Sequence, residues 1–117
     1  MQFLSLFTPS TRPSGPPSAE HMAQMGALME EMMKSGALVN TGGIMPRSTG
    51  MKIVKMNGST KVEHGPVQGS SLMPAAGWAL MRANTREELE ANIKRFLEVA
   101  GDGTCEIIQV FDGPPPK

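Results

Sequence analysis

The sequence predicts a single α+β domain in which two helices cover one face of an antiparallel sheet. Three observations predict this fold. First, short apolar runs with strand character alternate with two segments of helical periodicity. Second, glycine, proline and asparagine separate these segments at short intervals. Third, a length of 117 residues suits one domain. We expect residues 1–112 to form that domain and residues 113–117 to form a flexible proline-rich tail.

The first strand and the first helix are predicted by alternation and by helix-end signals. Residues 2–8 place apolar side chains on two sides, as a strand does. Four prolines in residues 9–17 predict an irregular loop. Ser18 suits the N-cap of a helix and Gly36 suits the position after its end. The helix carries an apolar stripe that we expect to face the core: Met22, Met25, Leu28, Met29, Met32 and Met33.

A short second strand and an inserted β-hairpin follow. Residues 37–41 predict the strand, and we expect the segment Gly42-Gly43-Ile44-Met45-Pro46 to break it. Asn57-Gly58, between residues 50–56 and 59–63, fits the positive φ values of a type I′ hairpin turn. Three lysines indicate that this hairpin faces solvent: Lys52, Lys55 and Lys61.

The second half of the chain predicts a strand, a helix and a last strand. Residues 76–83 form a strand that is apolar on both faces, and residues 104–111 form the last strand. Thr85 and Glu88 make a capping box at the start of the helix, and Gly101 ends it. The core-facing stripe of this helix contains Leu89, Ile93, Phe96, Leu97 and Ala100.

The order of elements gives a ferredoxin-like plan with an extra hairpin between its halves. Two helices can cover only one face of such a sheet, yet three predicted strands are apolar on both faces. A second apolar face of this kind is typical of an interface. We therefore expect a homodimer that packs sheet on sheet, as in a dimeric α+β barrel. The alternative is that the loops at residues 42–46 and 65–74 fold back over the sheet.

The composition excludes several classes of partner. Eleven basic and eleven acidic residues give no net charge, which argues against binding nucleic acid or a membrane surface. No run approaches the ~20 apolar residues of a membrane span, and the apolar start is too short for a signal peptide. Cys105 is the single cysteine, so we expect a reducing, cytoplasmic setting, no disulfide, no metal and no cofactor.

Segments along nearly the whole chain keep the order and spacing of a known family. They are Glu30-Glu31, Ser35-Gly36-Ala37-Leu38-Val39, His64-Gly65-Pro66-Val67, Trp78-Ala79-Leu80, Glu87-Glu88-Leu89 and Glu106-Ile107-Ile108-Gln109-Val110. Together they resemble the YCII-related proteins, in particular the branch named for an Asp-Gly-Pro-Phe signature after a hairpin. The chain departs from that signature, because His64 replaces its aspartate and Val67 its phenylalanine. The resemblance implies a dimeric α+β barrel.

The resemblance implies less about activity, since most members of the family have no assigned function. Some are proposed to be small-molecule enzymes that use a His–Asp pair. The family's helix histidine corresponds to about Met25, and His21 lies one turn earlier on a similar face. Asp102 precedes the last strand, but its surroundings do not match the family's aspartate motif. The pair is therefore not carried over intact.

His64 is the first candidate for chemistry, because an imidazole with a pKa near ~6.5 can act as acid or base around neutrality. The alternative is a loop histidine that bonds a nearby carbonyl. His21 is the second candidate, as a polar group at a cleft, or else a first-turn residue in solvent. The ligand-binding candidates are Arg47, Glu63, Gln68 and Arg82, of which the two arginines suit a carboxylate.

Three functions follow from these residues. The first is a dimeric module that binds a small molecule in a cleft between sheet and loops without turnover. The second is a cofactor-independent lyase or isomerase that uses His64, helped by His21 or Glu63. The third is a protein-interaction or regulatory module. Substrate and pathway cannot be derived from the sequence.

Overall fold

The part of the chain that the structure describes folds into two helices and six strands, which confirms the α+β class. The computed structural model describes residues 1–11, 15–67, 69–70 and 72–113, so the expected tail lies outside it apart from Gly113. A 3-10 turn at Arg47–Thr49 precedes the third strand. The elements are β1 (Gln2–Pro9), α1 (Ala19–Ser35), β2 (Leu38–Gly43), β3 (Met51–Met56), β4 (Ser59–His64), β5 (Gly77–Arg82), α2 (Arg86–Ala100) and β6 (Gly103–Val110).

The main sheet has four antiparallel strands in the order β2-β5-β1-β6. β1 is central, and its register places Phe3 beside Met81 of β5 and Gln109 of β6. Successive side chains of a strand point to opposite faces. Phe3, Ser5 and Phe7 therefore lie on one face of the sheet, and Leu4 and Leu6 lie on the other.

Both helices pack on the Phe3 face. Phe3 of β1 and Met32 of α1 are almost completely buried. Leu89 and Ile93 of α2 complete the contact between the helices and the sheet. An exposed ion pair joins the helices, with 2.7 Å between Arg95 Nη2 and Glu31 Oε2. The hydrophobic core thus lies between the two helices and one face of the sheet.

The predicted helix ends are confirmed. The amide of His21 donates to Ser18 Oγ at 3.1 Å, and Gly36 adopts a left-handed conformation with φ of 84°. At α2, the amide of Glu88 donates to Thr85 Oγ1 at 3.1 Å. These side chains satisfy amides that have no partner within the first turn of each helix.

Two details of the first half differ from the prediction. The apolar stripe of α1 is narrower, because Met22 and Met33 are exposed. The strand β2 ends inside the predicted break at residues 42–46 but two residues later than predicted, since it continues to Gly43, which pairs with Gly77. An extended glycine keeps its ladder bonds, and the missing side chain of Gly42 leaves room for the indole of Trp78.

The second face of the sheet is partly covered by loops. Leu4 lies in one row with Leu80 and Ile108 across three strands. Residues of the two loops at 42–46 and 65–74 cover part of this face. Together with Leu4 and Leu6 they line a groove of about 480 Å³. Ile108 stays 66% exposed. The loops therefore cover one part of the second face and leave another part open.

The β3–β4 hairpin forms a separate two-stranded sheet. Asn57 and Gly58 have φ values of 53° and 81°, as the type I′ prediction requires. All residues of both strands are exposed, which agrees with the solvent-facing prediction. The Gly65 amide donates a hydrogen bond to the Gly50 carbonyl oxygen at 2.9 Å, which closes the base of the hairpin.

The adjacent Met32 and Met33 test where the core of α1 lies. Met32 is 2% exposed and Met33 is 49% exposed. We expect Met32→Ala to lower the free energy of unfolding by about 2–5 kcal/mol, because it removes buried apolar volume and leaves a cavity. Met33→Ala is the matched control and should change it by less than about 0.5 kcal/mol. Equal effects in urea unfolding would contradict this packing.

Candidate functional site

A large cavity of about 820 Å³ lies between α1 and the helix-facing side of the sheet. The sheet contributes small side chains here, among them Ser5, Gly77 and Ala79. Small residues do not fill the space beneath a helix, so a gap remains. Across that gap α1 presents Met25 and Met29, whose flexible side chains adapt to irregular shapes. The interior of the cavity is therefore mostly apolar.

Few polar groups lie inside this cavity. Ser5 is buried in its floor. The Thr41 hydroxyl also lines it, but donates its proton to the Trp78 carbonyl oxygen at 2.7 Å. The Ser5 hydroxyl is thus a polar group that a ligand can meet deep in the site.

The polar rim contains one histidine and one carboxylate. His21 is half-buried in the first turn of α1, and Asp102 lies in the turn before β6. The Ser10 amide donates to the Asp102 carbonyl at 3.0 Å, which fixes that turn against the end of β1. Ser10 and Thr11 also line the cavity. An apolar ligand with one polar end matches this distribution.

Cys105 lies on the helix-facing side of the sheet, in register with Phe7. Burial raises the pKa of the Cys105 thiol above its ordinary value, and the Ser5 hydroxyl partly offsets that effect by stabilising the thiolate. The thiol is therefore protonated at neutral pH, which suits the interpretation of Cys105 as a small apolar side chain and not a nucleophile.

The structure does not bring the predicted site residues together. His21 lines the large cavity, whereas Arg47 lines the groove on the opposite face of the sheet. His64 and Glu63 are exposed at the end of β4, and neither lines these two cavities. Arg82 is exposed at the end of β5.

One further ligand-binding candidate, Gln68, lies outside the described residues. Sequence reasoning missed Ser5, Thr41 and the Gly77–Ala79 floor as parts of one site. The sequence did contain a signal for a cavity, namely small residues on a strand together with a methionine-rich helix. Periodicity alone, however, predicts that the methionines of that helix belong to the core.

The described residues contain no candidate metal site and no helix able to span a membrane. Within these ranges, no group of three or more histidine, cysteine, aspartate or glutamate side chains is placed to hold a metal ion. None of the helices in the described part of the chain is long and apolar enough to cross a membrane.

Comparison with known proteins adds no family assignment. No protein-family model matches the sequence, and no curated protein matches it. The resemblance to the YCII-related proteins therefore stays a prediction.

Neighbouring glycines test the wall of the large cavity. A Cβ on Gly42 would lie 2.6 Å from Trp78 Nε1, whereas a Cβ on Gly43 would meet nothing within 4 Å. We expect Gly42→Ala to displace the indole, lower the free energy of unfolding by about 1–3 kcal/mol and shift the fluorescence of the only tryptophan. Gly43→Ala is the control and should leave the spectrum unchanged. An unchanged spectrum for Gly42→Ala would refute this contact.

The raised pKa of Cys105 predicts slow alkylation near neutral pH, because the thiolate is the reactive form. The rate should rise with pH and reach half its maximum above the ordinary thiol pKa. Ser5→Ala should move that midpoint higher still, since the hydroxyl favours the thiolate. Mass spectrometry of iodoacetamide labelling measures both. A midpoint at or below the ordinary value would contradict the effect of burial.

Proposed function

We propose that this protein is a dimeric binding module for a small, mostly apolar organic molecule with one polar end. The observation that carries the proposal is the cavity of about 820 Å³ between α1 and the sheet. Ligand sites are typically apolar clefts of about 300–1,000 Å³ with a few placed polar groups. This cavity has that size, an apolar interior and a polar rim.

The walls of the cavity support binding in preference to a purely structural gap. Met25, Met29 and Met32 line it from α1, and methionine adapts its shape to a bound molecule at low cost. A ligand that fills the cavity would restore the dispersion contacts that the small residues of β5 leave unmade. Its polar end would lie at the rim, near His21 and Asp102.

The fold and the assembly belong to the same proposal. The strand order β2-β5-β1-β6, with one helix in each half, supports a ferredoxin-like fold of the dimeric α+β barrel type. The exposed Ile108, at the β6 end of the row formed by Leu80, Leu4 and Ile108, supports a homodimer through the second face of the sheet. We further propose membership of the YCII-related family and a cytoplasmic setting, the latter because the chain has one half-buried thiol and no other cysteine.

Binding can be measured by screening amphipathic organic acids, amines and neutral compounds for thermal stabilisation and for quenching of Trp78, which lines the cavity. We expect saturable binding of compounds with an apolar body. Met25→Trp fills the cavity and should weaken binding by at least about 10-fold.

The matched control is Met22→Trp, one turn earlier and exposed on the same helix. It should bind as tightly as the unmodified protein. If no class of compound stabilises the protein, or if both variants bind equally well, the cavity is not the binding site.

A second function is favoured by one observation, that His21 and Asp102 line the same cavity. An imidazole and a carboxylate at one rim can transfer protons to and from a substrate, as a cofactor-independent lyase or isomerase requires. This assigns acid–base chemistry to His21, because the exposed His64 is not connected to the cavity.

His21→Ala separates the two functions. If the protein is an enzyme, conversion of a bound compound, followed by mass spectrometry or NMR, should fall by about 100-fold or more while affinity changes little. His64→Ala is the control and should retain conversion. If the bound compound is recovered unchanged by the unmodified protein, the binding function stands without the enzymatic one.

A further inference from the structure

The β3–β4 hairpin, residues 51–64, projects from the domain as an arm whose root, at Met51, lines the groove beside Leu4 and Leu6. Every residue of the arm is exposed, and among the described elements the only extensive packing of β3 and β4 is on each other. An isolated two-stranded hairpin is at best marginally stable in water. A regular arm of twelve paired residues therefore needs a surface to pack on.

The two faces of the arm differ in polarity. The register pairs Ile53 with Val62 and Met51 with His64, so these four side chains share one face. Ile53, Val62 and Met51 are each more than half exposed. The other face carries Lys52 paired with Glu63 and Val54 paired with Lys61. Only the first face, here called the apolar face of the arm, pairs two apolar side chains across the strands, Ile53 with Val62. Lys55 and Thr60 continue this face towards the turn.

A matching surface lies on the main sheet. Leu80, Leu4 and Ile108 form a row across three strands, on the face that the helices do not cover. Ile108 is 66% exposed and lies on the edge strand β6, at the end of the row opposite Leu80. This region is called the open sheet face.

The dimensions of the chain show that much surface is left uncovered. Its radius of gyration is 16.4 Å and its extents are 47 × 45 × 18 Å, whereas a compact chain of this length has a radius of roughly 13 Å. Its accessible surface is 8430 Å², whereas a compact monomer of 12.5 kDa exposes roughly 6,200 Å². The excess is larger than the roughly 800 Å² per partner that a stable dimer buries.

We propose that the arm of each protomer packs its apolar face on the open sheet face of a second copy of this chain. The inference rests on the dimer proposed above and names the segment that makes it. Both surfaces belong to one chain, so a two-fold axis lets each protomer give an arm and receive one. Six residues per strand give the arm a reach of roughly 20 Å, enough to cross to a neighbouring sheet.

Charge supports the same partner. The arm carries three lysines and one glutamate, so it is basic. Glu106 lies on the receiving side of the sheet, in register with Leu6 and beside the row that ends at Ile108. His64 shares the face of Met51, so arm exchange carries this imidazole into the dimer interface.

Sedimentation of four proteins tests the exchange. Ile53→Lys combined with Val62→Lys places charge on the apolar face of the arm, and Ile108→Lys places it on the open sheet face. Val54→Lys combined with Met56→Lys is the control on the other face of the arm. All five side chains concerned are exposed in the protomer, so the variants should keep the circular dichroism spectrum of the unmodified protein.

We expect the first two variants to weaken dimerisation by about 100-fold or more and the control by less than about 3-fold. Carbodiimide cross-linking of mixed light and heavy isotope dimers should join arm lysines to Glu106 between protomers. If the Ile108 variant dissociates but the arm variant does not, the arm exchange is wrong while the dimer stands. A monomeric unmodified protein would overturn both, and ligand binding in the cavity is measured independently.

Discussion

The constraint on which the structure depends is that the central strand β1 is apolar on both sides. Phe3 and Phe7 point to the helices, while Leu4 and Leu6 point to the opposite face. Each apolar side chain left in water forfeits roughly 1.5–3 kcal/mol of the stabilisation that burial gives. Both faces of the sheet therefore need a cover. The helices cover most of one face, and loops cover part of the other.

The helix-facing side is covered incompletely in a way that creates the candidate site. At one end of the sheet, Phe3 and Met81 meet Leu28 and Met32 in a close-packed core. At the other end, Gly77 and Ala79 present almost no side chain to α1, and the cavity opens there. Packing thus fixes the helices at one end and leaves an adaptable, methionine-lined space at the other.

Local signals in the sequence predicted most of the fold. Ser18, Gly36, Thr85 and Asn57-Gly58 act on backbone groups within a few residues, so the ends of the helices and the hairpin turn could be predicted without tertiary information. Gly42-Gly43 was misjudged because its conformation depends on β5 and on the Trp78 ring, which are distant in sequence.

The site was less predictable, because a cavity forms where the side chains of two packed elements are too small to fill the space between them. His64 attracted attention through its unusual signature, yet it lies on an exposed hairpin. His21 and Asp102 are about eighty residues apart in the sequence. Both line one cavity only because of the order of strands in the sheet. Exposure of the arm likewise follows from tertiary structure and not from the alternation of its residues.

The central claim is that the second face of the sheet is covered in the assembled protein. Amide hydrogen exchange of the full chain tests it most directly, because a free two-stranded hairpin exchanges quickly and a docked one does not. We expect residues 51–64 to be protected nearly as well as β5. Exchange of the whole arm as fast as that of an unstructured terminus, at concentrations where the chain is associated, would contradict it.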